Sequence, residues 1–333
     1  MPEGPIRGGE RGLPREHLRQ RSTTRTGLGP LALALGARAA VRAMENRRRP
    51  AAPRARAVGA AHPHVRAAQR MNRAAGMLAV SVLADSAVEH YRGSFHNRAM
   101  YVPLVSSALG LAASAHGARD PQSTAHPVRD SVYGLALAVG VVGTGFHLYN
   151  ITKRPGGFSW LNLFYAAPIG APAALSIAGL LGLTAERVRD NAAPERPTVL
   201  GYPAGRAMAV VTAAGLLGTV AEVGLLHFRG AYHNPAMFLP VIVPPVSAVL
   251  LAEAAIGPRR RRPVARWWLR LTAWLGVAGM GFHALGVARN MGGWRNWRQN
   301  VLNGPPLPAP PSFTALSLAG LGALDLLESP TDV

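Results

Sequence analysis

The chain has 333 residues, 49% of them apolar, with 36 basic and 16 acidic side chains, a net charge of +20 and no cysteine. The missing cysteine excludes a disulfide scaffold, thiolate zinc and iron–sulfur sites, c-type haem attachment and a cysteine nucleophile. Charge of this size normally points to nucleic acid, but here 15 Arg and 4 Glu crowd into residues 1–70, while the remainder alternates apolar stretches with short charged joints. That pattern reads as a membrane protein with no nucleic-acid partner.

Residues 1–70 form an arm rich in Arg, Pro, Gly and Ala, with one weak apolar patch at Leu31–Ala40 broken by Gly36 and Arg38. No targeting-peptide pattern stands out in it. Three readings stand side by side: a disordered cytoplasmic tail, a surface helix drawn to anionic lipid, or an over-extended start ahead of Met71.

A bilayer core about 30 Å thick needs roughly 20 apolar residues as helix. Eight such stretches follow, at 74–90, 99–117, 131–150, 162–183, 206–227, 236–256, 267–287 and 308–327. The fourth and eighth begin in Pro-rich turns. The sequence therefore predicts an all-α polytopic membrane protein of about eight helices, with the lipid bilayer as its first partner. Loops 118–130, 184–206 and 257–266 hold 11 basic residues against 8 in the opposite loops, and the arm joins the richer side. The positive-inside rule then puts both termini in the cytoplasm of a plasma (inner) membrane.

An internal repeat of period near 137 is the most informative feature. Asp85–Met100 (DSAVEHYRGSFHNRAM) returns as Glu222–Met237 (EVGLLHFRGAYHNPAM), Gly143–His147 as Gly279–His283, and Ala174–Gly179 as Ala315–Gly320. Apolar matches are cheap in such a chain; matched His, Asn, Arg and Met are not. The predicted organisation is a 1–70 arm, a first four-helix repeat at 71–190, a connecting loop at 191–204 and a second four-helix repeat at 205–333. Four spans per copy gives parallel halves.

Six of the eleven histidines fall in the repeat: His90, His96 and His147 with His227, His233 and His283. Asp85 and Glu222 sit deeper on the first span of each half. Imidazole with carboxylate, and no thiolate, suits haem b near the outer face or a non-haem Fe, Cu, Mn or Zn ion, with these eight residues as metal ligands. Arg92 and Arg229 would contact an anion or a haem propionate, or reach lipid phosphates. Asn97 and Asn234 read as helix N-caps, Gly93 and Gly230 as tight-turn residues, and Gly143/Gly145 with Gly279/Gly281 as packing surfaces. Segments 151–168 and 288–311 read as lids over the histidines. The function this predicts is a redox or electron-transfer membrane component, passing electrons to quinone or to a membrane or periplasmic redox partner. A transporter with its site at the repeat interface, and a structural anchor for a partner complex, are the alternatives.

Overall fold

The computed structural model describes residues 63–166, 168–190, 197–199, 201–258 and 260–328. The arm up to residue 62 lies outside them. The architecture is all-α apart from a two-residue hairpin, Thr198–Val199 with Tyr202–Pro203. Eight long helices run in chain order: α1 (Pro63–Arg92), α2 (Val102–Gly117), α3 (Pro127–Thr152), α5 (Gly170–Asp190), α6 (Ala204–Arg229), α7 (Leu239–Ile256), α8 (Pro263–Arg289) and α10 (Pro311–Glu328). Two short helices, α4 (Trp160–Tyr165) and α9 (Trp297–Asn303), interrupt the series. Among the described residues, five helices are long and apolar enough to cross a membrane: α2 and α7 with their leading 3₁₀ turns, and α3, α6 and α8.

The core explains why the other three fall short. α1, α5, α6 and α10 supply most of the buried apolar side chains, Met71, Leu78, Leu181, Met208, Leu216 and Leu324 among them. α2, α3, α7 and α8 flank this centre and leave apolar side chains such as Val105, Val141, Val249 and Trp274 exposed on their outward faces. Central helices are shielded by neighbours, so they tolerate charge: α1 carries Arg66, Arg70, Arg73, Asp85, Glu89 and Arg92. Peripheral helices have no such shield and must be apolar all round.

Three element boundaries differ from the sequence expectation. α1 starts at Pro63 rather than near residue 74, because Val65, Ala67 and Ala68 continue its buried face. These residues were expected in the arm. The fourth stretch is not continuous from 162: α4 ends at Tyr165, Ala166 turns extended (ψ −178°), and α5 begins only at Gly170. Pro168 falls within that break, where a residue with no backbone N–H to donate costs no helical hydrogen bond. The eighth helix likewise starts at Pro311, past the prolines at 305–310.

Candidate functional site

The helices alternate in direction, so the molecule has two dissimilar ends. One gathers the six repeated histidines; the other gathers buried ion pairs.

At the histidine end, α1 and α6 stop in turns of the same design. Gly93 and Gly230 donate back to the carbonyls of Glu89 and Leu226. Positive φ then falls on the next two residues, Ser94 (57°) and Phe95 (45°) in one copy and Ala231 (55°) and Tyr232 (45°) in the other. The glycines stand in the turns, as expected, while the left-handed backbone falls on the residues after them. A Cβ at these glycines would lie 3.0 Å and 3.2 Å from the terminal methyl groups of Met100 and Met237, a tight fit that a shift of either flexible side chain would relieve. The left-handed residues are held by ring stacking, Phe95 on Tyr101 at 4.5 Å and Tyr232 on Phe238 at 4.4 Å. Asn97 and Asn234 cap the following 3₁₀ turns, each accepting from a backbone N–H at 2.9 Å, as their sequence position foretold.

Each histidine is oriented through its Nδ1. His90 Nδ1 lies 2.6 Å from the Met100 carbonyl and His227 Nδ1 2.8 Å from that of Met237. His147 Nδ1 meets the Pro168 carbonyl at 2.5 Å, and His283 Nδ1 that of Pro306 at 2.7 Å. His96 and His233 bond within their own turns, to Gly93 and Gly230, and stand exposed. A carbonyl can only accept, so all six Nδ1 atoms carry the proton in the neutral ring, which leaves each Nε2 with its lone pair. His147 is within electrostatic reach of His90, and His283 of His227. The structure thus sorts the six into two half-buried pairs, one per half, and two turn residues. Among the described residues no group of three or more His, Asp or Glu stands close together.

Asp85 lies within electrostatic reach of Glu222, Glu89 and Arg92. The Glu222 carboxylate reaches across from α6 to the first residue of α5, accepting the Gly170 N–H. Any Cβ at Gly170 would collide with it, so this glycine is required by a close approach. A carboxylate at a helix N-terminus is favourably placed against the helix dipole. Arg92 pairs with Glu89, while the Arg229 guanidinium lies over the rings of Phe164 (5.5 Å) and Tyr165 (5.3 Å) from α4. Both guanidinium groups are already engaged. Gly143 and Gly279 pack on Pro172 and Pro310, as a small-residue surface should; a Cβ at Gly145 or Gly281 would meet open space.

The opposite end holds residues that the sequence reading used only as topology charges. Arg129 at the start of α3 forks onto Glu186 of α5 (2.9 and 2.8 Å) and reaches Asp120 at 2.7 Å, all three side chains almost fully buried. Arg189 donates to the carbonyls of Gly117, Asp120 and Gln122, closing the C-terminus of α2. In the second half Arg266 joins Asp325 and Glu328, and Arg70 of α1 also pairs with Asp325. The available signal was the scarcity of acids: Asp120 and Glu186 are among the few in the apolar body, and each falls in or beside a short joint that also holds Arg. No protein-family model, curated protein or solved structure matches the chain.

Proposed function

We propose that the chain is an eight-span plasma-membrane protein of two tandem four-helix repeats, with both termini cytoplasmic, and that it holds haem b or a two-histidine metal at its outer end as an electron-transfer component. The observation that carries this reading is the Nδ1 anchoring of His90, His147, His227 and His283 to carbonyls outside their own turns. That hydrogen bond is the usual outer-shell support of an Nε2 ligand, fixing both tautomer and ring direction. His90 with His147 and His227 with His283 are the ligand pairs of the two halves, and two imidazoles suffice for a haem iron. Bound there, haem would supply one-electron chemistry between a quinone and an outer redox partner. His96 and His233 are turn residues in this reading, and Asp85 and Glu222 act as proton acceptors rather than ligands.

Paired contacts support the duplication. Gly140 lies against Ser176 and Gly276 against Thr314, while Gly182 lies against Tyr133 and Gly320 against Leu269. These contacts align α5 with α10 three residues away from the Ala174–Gly179 and Ala315–Gly320 match. Three residues is close to one helical turn, so both registers present the same face.

Full-length protein purified in mild detergent is expected to show a Soret band or stoichiometric Fe, Cu, Mn or Zn. Joint His90→Ala and His227→Ala replacement removes it; joint His96→Ala and His233→Ala replacement keeps it. Folded, colourless, metal-free protein overturns the reading. A second reading, a proton-coupled transporter, is favoured by the mutual reach of Asp85 and Glu222 across the two halves. It predicts that Asp85→Asn with Glu222→Gln abolishes substrate uptake in cells.

A further inference from the structure

A groove of about 590 Å³ runs between α2 and α10 over α1. Its walls are apolar along most of their length, from Met77, Val80, Leu111, Ala115, Pro311 and Leu318. Arg73 and Arg119 close it at the ion-pair end, the first from α1 and the second just beyond the end of α2. Both are exposed, and among the described residues no ion pair is formed by either; the Arg119 guanidinium donates to the Ala115 carbonyl at 3.2 Å. From Arg73 to Val80 the groove follows two turns of α1, about 10 Å. It has two guanidinium groups at one end and an apolar trough leading away from them along α1.

The arginine pair belongs to the first half alone. At the repeat period the counterparts of Arg73 and Arg119 are Val210 and Ile256, both exposed and apolar. The duplication therefore does not account for the arginines, and the turn and core contacts do not use them. Guanidinium pairs recognise phosphate oxygens with bidentate geometry, and basic side chains beside an anionic leaflet are drawn to it. A bulk lipid would need neither the second arginine nor the trough.

We infer that this groove binds one anionic glycerophospholipid, its phosphate between Arg73 and Arg119 and one acyl chain laid along α1 between α2 and α10. The test is native mass spectrometry of the full-length chain, delipidated and then equilibrated with phosphatidylglycerol or phosphatidylcholine in detergent. One phosphatidylglycerol per chain is expected to survive activation that strips phosphatidylcholine. Arg73→Gln with Arg119→Gln should lower its retention at least tenfold, while Arg206→Gln, an exposed arginine at the same end, should not. Ala115→Phe fills the trough with both arginines intact and should lower retention as well, which keeps the test decisive if the double variant misfolds. Equal retention of the two lipids, or undiminished retention in both groove variants, overturns the inference, as does binding of a neutral quinone in preference to the lipid.

Discussion

Asp120 shows how a single side chain on the ion-pair end ties stability to pH. Burial alone would raise its pKa. The Gln122 N–H, the Arg129 hydrogen bond and the nearby Arg189 outweigh that and hold its carboxyl below the ordinary aspartate value. A depressed folded-state pKa contributes stability above the unfolded value, near 3.9, which is lost as pH falls through the folded value. Thermal unfolding followed from pH 7 downward should therefore show an acid limb below about pH 4 that flattens in Asp120→Asn, with the variant less stable at neutral pH. The same network gives Glu186 and Arg129 their weight, since removing one partner of a buried pair generally costs about 3–5 kcal/mol. The histidines were visible in the sequence through their repetition. Asp120, Glu186 and Arg189 were not, because a buried ion pair and a topology-setting surface charge have the same composition and differ only in what lies opposite.

α1 is the element whose extent matters most. Its first two turns lie at the ion-pair end, where Val65, Ala67 and Ala68 are buried, Gln69 donates to the Asp120 carbonyl at 3.1 Å, and Arg70 pairs with Asp325. A chain beginning at Met71 should lose about 3 kcal/mol from the apolar burial alone, at about 1.5 for the valine and 0.8 for each alanine. Relative to a chain cut before residue 60, its melting temperature in detergent should drop by roughly 2–4 °C per kcal/mol lost. Equal melting temperatures would show that these turns do not contribute. Apolar stretch length pointed to the long helices but not to this end, where Arg66, Arg70 and Arg73 interleave with small apolar residues. Small residues bury little area each, so their pattern carries a weak signal until a partner helix packs on them.

Across the whole molecule the two halves grip each other at the histidine end. Phe164 of the first half sits edge-on to Phe228 of the second (6.1 Å, 85°) and under Arg229. Reciprocally, Arg298 of the second half reaches Tyr91 of the first, 5.5 Å from its ring centroid. Tyr91 and Phe228 stand at matched positions of the two similar segments Asp85–Met100 and Glu222–Met237. Ser81 of α1 also donates to the Pro308 carbonyl. The segments expected to act as lids thus cover the neighbouring half as well as their own histidine. Phe164→Ala should cost about 1 kcal/mol, the size of one aromatic and one cation–π contact, and should speed proteolysis within residues 151–166. The exposed Phe158→Ala control should change neither. If both variants are cut at the same rate as the parent, the lid is not held by the second half.

Sequence alone determined the helical class and the existence of a paired histidine motif, because apolar length and repeated polar identity are local properties of the chain. It also placed the two asparagine caps, whose geometry is closed within three residues. Tertiary structure decided the rest. It made four helices central and four peripheral, split the histidines into anchored pairs and turn residues, and brought Asp85 to Glu222 and Glu222 to Gly170. It also turned Arg129 and Glu186 from loop charges into a buried fork. Each of those outcomes depends on which backbone lies across a helix interface, and a side chain's partner across such an interface leaves no trace at its own position in the sequence.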